Sequence, residues 1–414
     1  MVLFADTETR MIGAGRMVYG FTLLERHLRV FGSLGARRIT IVGPPGKGGC
    51  DSPFDGFDDR WYRNVHPVTF VGADESPDRW LPADKGESVL VLNADHLYDN
   101  RVLSALVEGE TNRKVIDSES RECCRLLVAN TCLLNHLTES WYDSDALWSK
   151  LDVTSETLCS KFDIREMNPY VVNLRRSLSA WWLILDSDQK VVQAEALLID
   201  ASQKGTLDFP AEFIHPPLEN RATKWVSAST VTPNQVTTLT VLLAFLGAGL
   251  MVSGYLVTGL IIGFIVGILD GVDGKLARVT VRCTEFGDRY EHILDVIYEL
   301  TWYWAIGWML SNSGAEAVHY VSSAVITLFY LLDKAATGMF KSKRGKELFD
   351  YAPIDRIFRR IGARRNTNVL LLLIGTAIGM AGETFILVTI WTVVTAGFHW
   401  TRAIWLLSKS RSVG

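Results

Sequence analysis

The second half of the chain alternates long apolar runs with short polar breaks. Runs near 236–256, 257–270, 293–312, 317–337, 367–382 and 384–407 carry few charges. That is the pattern of helices crossing about 30 Å of hydrocarbon, which takes about 20 residues each. The second run is short, and its helix is expected to continue through GVDGKLAR. The first half has a different pattern. Short aliphatic runs (ITIVG, VTFVG, SVLVLNAD, RLLVAN and ALLIDA) alternate with helical stretches such as FTLLERHLRVFGSLG, which predicts an α/β domain with a mainly parallel sheet. The expected organisation is therefore an α/β domain over 1–210, a juxtamembrane helix and linker over 211–235, and an all-α six-span domain over 236–414.

Charge sharpens this division. Residues 1–210 hold 23 Lys+Arg against 31 Asp+Glu, whereas residues 211–414 hold 19 against 15. The basic residues of the second half are confined to alternate breaks. Four of them, Lys275, Arg278, Arg282 and Arg289, follow the second run, and nine lie between Lys341 and Arg365. Arg402, Lys409 and Arg411 follow the sixth run, while SNSGAEAVHY and the GE at 382–383 contain no Lys or Arg. By the positive-inside rule the N-terminal domain, the breaks after runs two and four, and the C-terminus are all cytoplasmic, in an inner membrane crossed several times. Phe213 and Trp225 with Arg221 and Lys224 suggest a helix lying on the membrane surface, set off by Pro216–Pro217. The opening MVLFADTETRMIGAGR lacks the charged-then-apolar order of a leader. Six cysteines without CxxC or Cys/His spacing are expected to be reduced thiols rather than a disulfide framework or a zinc site. No nucleic-acid partner is expected.

The candidate chemistry lies in DGVDGKLARVTVRCTEFGDRYEHILD, residues 270–295, between the second and third apolar runs. Asp270 and Asp273 are three apart and Glu291 and Asp295 four apart, so each pair shares a helix face. Acids beside hydrocarbon need counter-charge. Two antiparallel helices would bring the four carboxylates around hard divalent cations, and four negative charges match two Mg²⁺. Gly271, Gly274, Ala277 and Gly287 leave helix surface bare for a ligand, and Arg278 offers a planar phosphate donor. Glu285 and Asp288 fit no shared face and read as solvated. The Gly263/Gly267/Gly271 and Gly375/Gly379 spacings read as helix packing.

This segment resembles the signature of the CDP-alcohol phosphotransferase family, Asp-x2-Asp-Gly-x2-Ala-Arg-x8-Gly-x3-Asp-x3-Asp. Asp270, Asp273, Gly274, Ala277, Arg278, Gly287 and Asp295 match, and Glu291 stands where the family has its third Asp. The six-run layout and TPNQVT (232–237) resemble that family too, over roughly 211–410. The resemblance implies a transfer dependent on two Mg²⁺ ions, with Mn²⁺ as the alternative. Asp270, Asp273, Glu291 and Asp295 would hold metal, and Asp295 would also serve as general base. Gly274, Ala277, Arg278 and Gly287 would bind the nucleotide, with Asn234 near its phosphates. The implied partners are a CDP-linked alcohol donor, an alcohol or phosphorylated-alcohol acceptor, membrane lipids and a second copy in a homodimer. Glu299 continues the Glu291–Asp295 face as a supporting residue, an acceptor contact or a partner for Lys334. The nine-cation break serves topology and anionic lipid, or else Arg359, Arg360, Arg364 or Arg365 binds an acceptor phosphate.

In the first half, TLLERHLRVFGSLGARRITIV followed by VLVLNADHLYD resembles the sugar-nucleotide pyrophosphorylase (nucleotidyltransferase) family, which implies a Rossmann-like fold. Asp95 would fall on that family's metal-binding Asp, and Asp200 in LLIDAS on a second. ADTETRMIGAGR has no glycine before Arg10, and GPPGKGG (43–49) fails the P-loop spacing. A degenerate platform domain is the favoured expectation. The alternatives are a bifunctional enzyme that also makes the CDP-alcohol from CTP and, because Glu291 departs from the signature, a transporter or catalytically silent scaffold.

Overall fold

In the computed structural model all residues are described except 45–67, 76–80, 82–86, 121, 137–143, 284, 313–316 and 410–414, and except the side chains of 135–136, 154–158, 285–292 and 312. The chain forms two compact units, one of residues 1–170 and 177–201, the other of 171–176 and 202–414.

The first unit is built on a seven-stranded sheet. Its order is Ser160–Asp163, Arg113–Ile116, Leu126–Asn130, Ser88–Asn93, Val2–Phe4, Ile39–Gly43 and Val68–Gly72. Leu126–Asn130 runs against both its neighbours, and every other neighbouring pair is parallel. The central strands are buried, and Phe4, Val42, Val91, Leu127 and Trp148 share one apolar core. Helices α1 (Glu8–Gly15), α2 (Leu23–Ser33), α3 (Asn100–Glu108), α4 (Thr131–His136) and α5 (Ser144–Leu158) connect the strands. ITIVG, VTFVG, SVLVLN and LLVAN are strands as their composition predicts. ALLIDA is not, because it lies inside α6 (Asp188–Ser202). There Ala194, Leu198 and Ser202, four apart in turn, are the buried positions, so the helical period prevails over the short aliphatic run. GPPGKGG begins at the last residue of a strand, Gly43, and its residues 45–49 lie outside those described.

The second unit is helical: α7 (Pro216–Ser227), α8 (Pro233–Val252), α9 (Leu256–Val279), α10 (Glu285–Asn312), α11 (Val318–Arg344), α12 (Pro353–Ile361), α13 (Arg365–Ala377) and α14 (Ala381–Lys409). Among the described residues, four of them, α8, α9, α11 and α14, are long and apolar enough to cross a membrane. A helix occupies each of the six apolar runs, but α13, at 13 residues, is about 20 Å long. TPNQ is read as a helix start. Thr232 and Gln235 form a reciprocal capping box, with Pro233 in the first helical position, where its missing N–H costs nothing. Gly345, at φ 66°, caps the end of α11 in a left-handed conformation that a side chain would resist. Tyr298, Trp302 and Ile306 of α10 meet Val369 of α13 and Phe385 and Val388 of α14 in the bundle core.

Candidate active site

Helix α9 runs unbroken from Leu256 through the signature residues to Val279, so Asp270, Asp273 and Lys275 are held on a regular helix. They leave it in different directions. Asp273 is buried and accepts from Thr237 Oγ1 of α8 at 2.7 Å. Asp270 instead meets Arg365 of α13, whose Nη2 donates to its Oδ2. The same guanidinium donates through Nη1 to Asp295 Oδ1 of α10 at 3.1 Å and to the Tyr298 hydroxyl. Tyr298 in turn donates to Asp295 Oδ1 at 2.7 Å, and its ring lies under the guanidinium at 5.3 Å. Acids from two helices thus converge on one cation from a third. A bidentate donor satisfies two separate carboxylates in a way that a lysine ammonium does not.

This group lies on the wall of a cavity of about 370 Å³, which Gly271, Gly274, Arg278, Glu299 and Lys334 also line. Arg278 Nε donates to the Ser202 carbonyl at 2.8 Å. Of the arginines after α11, three line the cavity: Arg359, Arg364 and Arg365. Arg359 lies over the Phe349 ring at 4.3 Å. Arg364 donates to Asp333 Oδ2 at 3.3 Å, and His399 holds the other oxygen of that carboxylate. Arg360 is instead paired twice with Glu212 at 2.7 Å. Glu299 is buried within reach of the Tyr303 hydroxyl, which donates to its Oε1 at 3.5 Å.

The remaining candidates are placed as follows. Asn234 is exposed in the first turn of α8, and neither it nor Ala277 lines the cavity. Gly287 and Glu291 lie in α10, but their side chains are outside those described. Among the described residues, no three His, Cys, Asp or Glu side chains form a metal-holding group. What the structure does bring together is Asp270 and Asp295, on a cation.

Glu219 escaped the sequence reading, and Lys275 entered it only as a topology charge. Glu219 of α7 is buried and pairs with Lys275 Nζ at 2.9 Å, while Lys275 also donates to Asn220 Oδ1 at 2.6 Å. Burial pushes the Glu219 carboxyl above the usual carboxylate range, although Lys275 pulls it back. The carboxylate lies over bare α9 backbone, where a Cβ on Gly271 would meet Glu219 Oε1 at 2.2 Å. Gly271 is therefore the residue that lets α7 dock on the signature helix. Gly271→Ala is expected to destabilise the protein by roughly 2 kcal/mol. Alanine returns about 1 kcal/mol of helix propensity, but breaking a buried ion pair costs about 3. Thermal unfolding of the detergent-solubilised chain measures the sign, and a stabilised variant would overturn this account.

In the first unit Asp95 is held by His96 Nδ1 at 2.8 Å. Burial raises its pKa, but the His96 hydrogen bond and the charges of His96 and Arg10 outweigh that and leave it below the usual range. The segment that would supply a glycine-rich phosphate loop is helix α1. There Arg10 is tied to Asp6 at 2.9 Å and to Asp145 at 2.5 Å. Asp200 is exposed in α6, on a helix rather than at a strand end.

Comparison with known proteins adds to this geometry. Residues 230–400 match the family model described as CDP-alcohol phosphatidyltransferase. The chain is 24% identical to a protein named bifunctional IPC transferase and DIPP synthase from Aquifex aeolicus, over 74% of this chain and 73% of that protein. A protein of the same name from Thermococcus kodakarensis is also 24% identical, over 47% of this chain and 43% of its own length. The chain thus spans less than half of the Thermococcus relative. Among solved structures, Mycobacterium tuberculosis phosphatidylinositol phosphate synthase (PgsA1) with CDP-DAG bound covers 45% of this chain and 94% of its own, at 15% identity and a TM-score of 0.38. The same enzyme in complex with manganese and citrate gives 16% identity and a TM-score of 0.37.

Proposed function

We propose that this chain, whose residues 230–400 match the CDP-alcohol phosphatidyltransferase family model, moves a phosphoalcohol or phosphatidyl group from a CDP-linked donor to an acceptor hydroxyl and releases CMP. The observation that carries this reading is the convergence of Asp270 and Asp295 on one cation at the wall of a cavity that Gly274 and Arg278 share. Oxygen donors gathered around positive charge suit a hard divalent ion. Asp270, Asp273, Glu291 and Asp295 would hold Mg²⁺ or Mn²⁺, which when bound neutralises the charge of a diphosphate.

Asp295 takes the proton of the acceptor hydroxyl as its oxygen bonds to the β-phosphorus and the bond from that phosphorus to the CMP oxygen breaks. Tyr298, donating to Asp295 at 2.7 Å, fixes the carboxylate's orientation. Gly274 leaves room for the nucleotide, and Arg278 stands beside it for the diphosphate. Arg364 and Arg365, with Lys334, supply cations for a phosphate on the acceptor. Four apolar helices support a membrane location. We read α10 and α13 as two further spans and the acid-bearing ends as cytoplasmic, with α7 at the surface, where Trp225 is 82% exposed, and a homodimer as the assembly. CMP release from labelled CDP-alcohols, screened over inositol phosphate, glycerol phosphate, serine and lipid alcohols, tests the activity; no release across the panel would refute it.

A second reading adds a cytidylyltransferase in the first unit. It is favoured by the alignment to a relative named bifunctional, which covers 74% of this chain. The strand order from Val68–Gly72 inward supports a Rossmann-like sheet. Against activity stand the helical α1 and the ion-paired Arg10. The expected result is therefore that CTP with inositol phosphate yields no pyrophosphate and that Asp95→Asn changes nothing. CTP consumption that disappears in Asp95→Asn would establish the second activity.

A further inference from the structure

A second cleft, of about 480 Å³, opens where α11 and α14 end, and it shares no lining residue with the acid-lined cavity. Arg344, Arg402 and Lys409 line it with Trp405, Tyr351 and Leu406, and no acidic side chain does so among the described residues. Trp405 anchors two of the cations: Arg402 Cζ is 4.9 Å and Lys409 Nζ 4.1 Å from its ring centroid. Arg344 Nη2 donates to the Leu406 carbonyl at 2.8 Å, which holds the end of α11 to the end of α14. Arg402 reaches α12 as well, through a two-pronged pair with Asp355 at 2.7 and 2.8 Å.

That pair fixes α12 beside the cleft, and α12 is strongly two-faced. Ile354, Ile357 and Ile361 lie at i, i+3 and i+7, one stripe of the helix, and each is more than half exposed at 52–55%. A cationic cleft with an aromatic wall at the ends of two membrane-length helices, tied through Arg402 and Asp355 to a helix that carries an uncovered apolar stripe on another face, matches one kind of ligand in both charge and apolarity. We propose that the cleft holds the phosphate of an anionic membrane phospholipid, whose acyl chains run along the isoleucine stripe of α12. A free phosphate would satisfy the cations but leave the stripe in water. The proposal rests on the helices spanning a membrane and not on the transfer chemistry.

The full chain in nanodiscs of phosphatidylcholine, with and without phosphatidylglycerol, provides the test. Native mass spectrometry counts retained lipid, and thermal unfolding gives its stabilisation. The wild type should retain phosphatidylglycerol and gain melting temperature from it. Removing two basic residues near a charged surface, Arg344→Gln with Lys409→Gln, should weaken retention roughly 10- to 30-fold. In pure phosphatidylcholine the double variant should unfold only slightly below the wild type, by what the Arg344–Leu406 hydrogen bond contributes, and Lys409→Gln should unfold like the wild type. If the double variant does not fold, Lys409→Gln alone is read the same way, and Ile354→Ser with Ile357→Ser should also loosen the lipid. Equal retention by wild type and variants overturns the proposal. So does inorganic phosphate that protects the wild type in phosphatidylcholine as well as phosphatidylglycerol does, since that marks a free-phosphate site. Retention is measured without substrate, so a chain that keeps the lipid but releases no CMP would refute only the transfer reading.

Discussion

Asp295→Asn is expected to leave binding of the CDP-linked donor within a few-fold of wild type while CMP release falls 10²- to 10⁴-fold, the range that a positioned base contributes. The amide keeps the shape of the carboxylate and an oxygen for the Tyr298 hydroxyl, which now lies 2.7 Å from Asp295 Oδ1. What it lacks is the capacity to accept the acceptor's proton. On the proposed reading the cytidine and diphosphate contacts would lie elsewhere, on Gly274, Arg278 and the other acids, so donor affinity should be largely spared. Single-turnover CMP release, measured beside equilibrium binding of a labelled donor, separates the two effects. If both fall together, Asp295 acts through the donor site; if neither falls, the proton goes to another group.

The reach of the sequence follows from what each signal depends on. The acid spacing was legible because one helix fixes which residues share a face. The α9 helix does carry Asp270 and Asp273 as expected, though Asp273 turns to Thr237. TPNQVT was legible only through the resemblance, with Asn234 as its candidate, yet the residue in it that reaches an acid is Thr237, while Asn234 is exposed. Glu219 and Lys275 could not be matched by pattern. They stand 56 positions apart on separate helices, and nothing local says that one buried charge answers the other. Only the bare Gly271, read here as ligand space, hinted that something approaches α9, and the visitor is the Glu219 carboxylate. Strands were legible where an aliphatic run lies between turns and not where the run sits inside a longer helical period, as in ALLIDA. Arg365 appeared only as one of four arginines that could take an acceptor phosphate. Its partners lie 70 and 95 residues away, so its role depends on how three helices pack.

Arg365→Gln should cost about 3 kcal/mol of stability in chelator, the scale of breaking a buried ion pair by deleting one partner. It leaves two carboxylates facing each other where the side chain of Asp295 is only a quarter exposed and that of Asp270 slightly less. The penalty should shrink in millimolar Mg²⁺, because a divalent ion between the same oxygens restores the lost positive charge. Lysine at this position should recover only part of the loss, since one ammonium does not span two carboxylates and the Tyr298 hydroxyl as a guanidinium does. Melting curves of wild type, Arg365→Gln and Arg365→Lys, each in EDTA and in Mg²⁺, give the coupling between side chain and ion directly. A loss that is the same in both conditions would mean that Arg365 braces the bundle without sharing its carboxylates with metal. A loss confined to EDTA would place the guanidinium and the cation on the same pair of acids, so that donor binding with its metal must move Arg365 toward the acceptor side of the cavity.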